Sequence, residues 1–118
     1  MVIPVHDANP VARTAVVTRV LVLVNVVVFV LSPLAFGFLG GTSPAEACRQ
    51  GAYVDRWGAV PEELLTGEPA TTTLGPPARD ELGRIGCQVV PSDGSKRPLL
   101  SVLTAMFVHG GWAHLLGN

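Results

Sequence analysis

The charged positions of this chain leave one long gap. From Val20 to Ala45 there is no Asp, Glu, Lys or Arg, and the run "VLVLVNVVVFVLSPLAFGFL" (Val20–Leu39) is apolar on every face. Its many β-branched residues favour a strand on propensity. Length decides the other way. A strand is usually about 4–8 residues and either alternates or stops at turn residues, whereas a long run apolar all round suits a helix in lipid, and a bilayer core takes about 20 such residues. The pattern predicts a transmembrane helix over 15–39, preceded by a tail over 1–14, with Pro33 and Gly37 loosening its far end as membrane helices tolerate.

Polarity then dominates, and clusters such as "LGGTSP", "LGPPARD" and "PSDGSKRP" mark 40–98 as an irregular loop with no internal repeat. A short helix is expected at "PEELL" (Pro61–Leu65), because proline fits the first helical position and acids suit the positive end of the helix dipole. "ARDELGRIG" (Ala78–Gly86) is expected to add another helical turn or two. From 99 to 118 the chain is apolar again. Gly110-Gly111 divides this stretch into a helix ending near Val108 and a second starting around Trp112, a residue suited to a membrane–water interface. The fold class read from the pattern is all-α: a polytopic helical membrane protein, cut within its second transmembrane helix.

Composition sharpens this picture. Charged residues make up 14% of the 118, against roughly 25% in typical globular proteins. A net charge of −1 offers no basic patch, which excludes nucleic acid as a partner. Before the apolar run stand Arg13 and Arg19 against the single acid Asp7, and no Lys or Arg follows until Arg49. The positive-inside rule therefore puts the N-terminus in the cytoplasm of a bacterial-type plasma membrane and the loop outside. A competing reading is a secretory signal, with "AEA" (Ala45–Ala47) before Cys48 as the cleavage site, although the apolar region is long for one and the end of the chain would stay unexplained. Acids and bases in the loop nearly balance, as on a solvated surface.

Cys48 and Cys87 bracket the loop on its oxidising side. A disulfide between them would stabilise it by about 3–4 kcal/mol in the chain-entropy model, and two free thiols are the alternative. Neither zinc-type spacing nor a CxxC pair is present, so no metal site is expected.

The chemistry concentrates in "FVHGGWAHLLGN" (Phe107–Asn118). His114 and Asn118 stand four apart, one turn along a single helical face, whereas His109 and His114 are five apart across the glycines and share no face. The spacing is not HExxH and the glutamate is missing, so a zinc protease is excluded. Two neutral donors aimed at one point are the equipment of an oxyanion hole, where losing one donor costs about 2.7–4 kcal/mol. Polar packing between membrane helices, at about 0.6 kcal/mol on average, is the plainer role and the one that spacing alone favours.

"TAMFVHGGWAHLLGN" closely resembles the second-transmembrane-helix motif of the rhomboid intramembrane serine proteases, in which a His is followed five residues on by another and four further on by an Asn. "VVTRVLVLVNVVVFVL" (Val16–Leu31), with its Asn25, resembles the family's first helix, and "RWGAVPEELLTG" (Arg56–Gly67) the start of its bacterial first loop. The resemblance implies that His114 and Asn118 hold the oxyanion and that His109 braces the loop. It also implies a rhomboid-like fold, peptide-bond cleavage in or near the transmembrane segments of partner proteins within the lipid bilayer, and no metal or organic cofactor.

The sequence departs from the family in lacking a GxSG serine and a later general-base histidine. The serines at Gly41–Ser43 and Asp93–Ser95 lack that context, and His6 falls on the cytoplasmic side. An oxyanion hole without an activated nucleophile does not turn over by the serine route. The expectation is therefore the N-terminal part of a longer protease, inactive by itself, with a loop enlarged by an insertion. Its rivals are a non-catalytic relative that binds transmembrane segments and a secreted protein freed by signal cleavage.

Overall fold

In the computed structural model, residues 15–37 and 43–118 are described. Helix α1 covers Val16–Leu31 and ends there for a local reason. Pro33 disfavours helical backbone at the residue before it, and Ser32 is extended at φ −81° and ψ 155°. The Ser32 hydroxyl donates to the Phe29 carbonyl at 2.7 Å and accepts from the Leu34 amide at 3.2 Å, which starts a single 3₁₀ turn over Pro33–Ala35.

That stop corrects the expected transmembrane helix over 15–39. α1 has 16 residues, which at the helical rise amounts to about 24 Å against a hydrocarbon core of about 30 Å. No helix among the described residues is long and apolar enough to cross a membrane. Residues 38 and 39 and the tail over 1–14 lie outside the described residues.

The expected irregular loop is largely ordered. Ser43 opens α2 (Pro44–Trp57) with a reciprocal capping box: its hydroxyl accepts from the Glu46 amide, and the Glu46 carboxylate accepts from the Ser43 amide at 2.9 Å. The Ala45–Ala47 stretch read as a cleavage site is thus the first turn of a helix. Helix α3 follows at Pro61–Thr66, on the proline and acids that pointed to it.

Strands β1 (Thr72–Arg79) and β2 (Ile85–Pro91) then pair antiparallel, from Thr72 opposite Pro91 to Arg79 opposite Ile85. This hairpin overturns the all-α class: the chain is mixed α/β, and an all-α polytopic membrane fold is not what it adopts. The prolines that spoke for a loop are accommodated by an irregularity between Leu74 and Pro77, where the missing N–H groups interrupt the ladder. The "ARDELGRIG" helix is replaced by the hairpin turn. Asp80 Oδ1 accepts from the amides of Leu82 and Arg84, the Asp80 amide donates to the Arg84 carbonyl, and Gly83 takes φ +77°.

α2 lies against β1 so closely that a Cβ on Gly51 would stand 2.5 Å from Leu74 Cδ1. A disulfide between Cys48 of α2 and Cys87 of β2 closes the contact, with Cα atoms 5.4 Å apart. Beneath it, Lys96 meets Glu63 at 2.6 Å with both side chains almost fully buried, and also donates to the Asp55 carbonyl. Two helices close the chain: α4 (Pro98–Ala105) and α5 (Trp112–Gly117).

Candidate functional site

The apolar core is small, and its fully buried side chain, Phe29, sits beneath the terminal cluster. Trp112 stands edge-on to Phe29 at 4.9 Å between ring centroids and donates its indole N–H to the Ala35 carbonyl at 3.0 Å. These two contacts dock α5 onto the end of α1 and the 3₁₀ turn. His109 packs edge-on to the same Phe29 at 6.5 Å and is buried, while His114 and Asn118 are exposed.

The Gly110-Gly111 bend does more than separate two helices. It folds His109 back so that its ring lies 5.2 Å from that of His114, bringing together two residues that cannot share a helical face. Asn118, at the C-terminal end of α5, places its Nδ2 3.3 Å from His109 Nε2. All three residues singled out from the sequence therefore meet at one place, with His109 at the centre.

Hydrogen-bond chemistry fixes the tautomers. His109 Nδ1 lies 3.2 Å from the Phe107 carbonyl, which can only accept, so Nδ1 carries the proton. Nε2 is then the acceptor for one N–H of the Asn118 amide, and the other N–H of that amide is left over. His114 Nδ1 accepts from the Gly110 amide at 3.2 Å, which in the neutral ring puts the proton on Nε2. Two outward donors result, His114 Nε2–H and Asn118 Nδ2–H, on side chains open to solvent.

His109 thus holds Asn118 directly, a contact the sequence did not foretell. Its hydrogen bonds go to Phe107 and Asn118, not into the loop. Among the described residues no carboxylate bonds either ring, so nothing here resembles an acid–histidine pair that would make a general base. Asn25, noted in α1, is satisfied locally by donating to the Leu21 carbonyl at 2.9 Å. Sequence reasoning missed Phe29 and Ala35, and it marked the bend at Gly110 but not the hydrogen bond from its amide to His114. The glycine pair was the available signal, since a tight bend brings its flanks together.

No group of histidine, cysteine and acidic residues able to hold a metal occurs among the described residues. Cys48 and Cys87 are joined to each other, away from the cluster. A cavity of about 580 Å³ opens beneath the hairpin beside Glu63 and Lys96, remote from the histidines in sequence and in lining. No family model matches the chain, and neither a curated protein nor a solved structure shows significant similarity to it.

Proposed function

We propose that this chain contributes the oxyanion-binding part of an intramembrane serine protease of the rhomboid type, acting on transmembrane segments of other proteins. The observation that carries the reading is the pair of preset donors, His114 Nε2–H, whose ring is held through Nδ1 by the Gly110 amide, and the second N–H of Asn118 Nδ2, whose first N–H donates to His109. Donors oriented before reaction need no reorganisation when charge develops on the carbonyl oxygen, which is what makes such a site effective.

His109 is the positioning residue. Buried against Phe29 with its tautomer fixed by Phe107, it presents a lone pair that orients the Asn118 amide. The 118 residues hold no GxSG serine, so nucleophile and base would come from other sequence.

The wide exposure of the α1 side chains, with Val17 73% and Leu23 62% accessible, favours lipid around that helix. On this reading α1 rests its exposed apolar face against lipid, and α2 and the hairpin lie on the oxidising side, where a disulfide persists.

The test is kinetic, in the protein that carries a nucleophile. Replacing His114 or Asn118 by Ala is expected to lower turnover of a membrane substrate by roughly 10²–10³-fold with the disulfide intact. Unchanged rates in both variants would remove the oxyanion role. Sequence beyond codon 118 encoding neither a GxSG serine nor a later histidine would instead favour a non-catalytic binder of transmembrane segments.

A further inference from the structure

Both donors of the terminal cluster depend on an imidazole lone pair, but a proton acts on the two in different ways. His114 Nδ1 accepts from the Gly110 amide, and the donor this ring offers, Nε2–H, is on its other nitrogen. A proton added at Nδ1 removes the anchor and leaves Nε2–H a donor. Asn118 has an amide that does not titrate, yet it hangs on the one free lone pair of His109, because His109 Nδ1 already carries the proton that the Phe107 carbonyl accepts. A further proton on His109 therefore goes to Nε2, after which both ring nitrogens donate.

Asn118 Nδ2, 3.3 Å from that nitrogen, would then meet an N–H with an N–H. The least demanding relief is a half-turn of the amide about its terminal torsion, which is broad and two-fold, so that Oδ1 accepts from the imidazolium in a charge-assisted hydrogen bond. The carbonyl oxygen now stands where the nitrogen stood, and the direction that held the second N–H holds a lone pair. The amide is the part that moves: Asn118 is exposed at the end of α5, whereas His109 is 3% accessible, packed against Phe29 and tied to Phe107. Few groups face His109. α1 presents Phe29, the segment after α4 the Phe107 carbonyl, and α5 the side chains of His114 and Asn118. Of these His114, 5.2 Å away between ring centroids, is the one titratable side chain, and no described carboxylate, lysine or arginine bonds the ring.

We propose that protonation of His109 reverses the Asn118 amide and replaces one of the two donors by an acceptor. The site is competent while His109 is neutral and disabled once that ring is charged, although His114 Nε2–H remains a donor in both states. The consequence for turnover rests on the oxyanion reading given above; the reversal of the amide does not.

The chain, with two glycines added after Asn118 to keep a terminal carboxylate away from the ring, is labelled with nitrogen-15 and followed by NMR from about pH 8 to about pH 5, the range in which imidazoles change charge. The Asn118 side-chain N–H signals are expected to move with the midpoint of the His109 ring nitrogens, and the coupling across the Asn118–His109 hydrogen bond to be lost below that midpoint. His109→Gln, whose amide oxygen accepts without titrating, is expected to remove the response. Asn118 signals that follow the His114 midpoint, signals that stay constant while His109 titrates, or a His109 that keeps a single proton throughout overturn the proposal. In the protein that carries a nucleophile, acidification is expected to lower turnover roughly 10²–10³-fold more in the wild type than in His109→Gln, the amount one oxyanion donor supplies. Equal acid losses, where Asn118→Ala has shown that donor to matter, overturn the switch. An NMR response together with full turnover in the His114→Ala and Asn118→Ala variants removes the oxyanion reading and upholds the reversal.

Discussion

α1 and the α2–hairpin unit are held in opposite ways. Along α1 the valines and leucines from Val16 to Val27 are largely exposed, and only Phe29 near its end is buried. The α2–hairpin unit also has almost no apolar core, with Cys48 its one buried apolar residue, yet it is bound by a disulfide, a buried ion pair and a capping box. A helix with so much exposed apolar surface gains little from packing within this chain, whereas the small polar unit is held by covalent and charged ties. The terminal cluster belongs to the α1 side: Phe29 of α1 stands edge-on to His109, and the Ala35 carbonyl of the 3₁₀ turn accepts from Trp112.

The strongest way to break this comparison is to remove the disulfide. Cys48→Ala with Cys87→Ala opens a loop of sequence separation 39, and the chain-entropy model gives a loss of about 4 kcal/mol. Urea unfolding followed by hydrogen exchange at β1 and β2 is expected to show that loss in the hairpin while α1 exchange stays unchanged. Equal loosening of α1 would show the two regions to be one cooperative unit.

Next comes Lys96→Met, which strands the Glu63 carboxylate in a buried site. Breaking such a pair costs about 3–5 kcal/mol, and the lower figure is expected because the neighbouring cavity admits water. Adding Glu63→Gln is expected to recover much of the loss, read as the same urea midpoint.

A smaller effect comes from Ser43→Ala, which deletes the cap of α2 and is expected to lower stability by about 1 kcal/mol in urea unfolding. Acid gives the gentlest probe. Burial pulls the Glu63 carboxyl upward, but the Lys96 hydrogen bond, the Ala70 amide and the Lys96 charge outweigh it and hold the group below its ordinary 4.5. A depressed folded value means that the unfolded chain takes up the proton first. The contribution is therefore complete above about 4.5 and lost as pH falls through the lower folded value. Hairpin exchange is expected to quicken in that acid window while α1, which has no acidic residue, does not respond.

The cluster was more legible than the fold around it. Periodicity placed His114 and Asn118 on one helix, and the glycine pair marked the bend, but the contact between His109 and Asn118 depends on how far that bend turns. The Ser43–Glu46 capping box was written plainly in "SPAE" and passed over because the surrounding glycines and prolines suggested a loop. The hairpin was hidden by Gly75-Pro76-Pro77 within β1, residues ordinarily read as breakers, which a ladder irregularity absorbs. The apolar gap in the charges located α1, but its length overstated the helix, since a single serine–proline step at Ser32-Pro33 ends it.

The most direct measurement concerns the proton on each imidazole. Long-range proton–nitrogen spectra of the labelled chain, at a pH where the rings are neutral, distinguish the two tautomers of His109 and His114. The expected result is a proton on Nδ1 of His109 and on Nε2 of His114, leaving the latter as a donor. A proton on Nδ1 of His114 would turn a lone pair toward the site in place of a donor, and the oxyanion role would be contradicted.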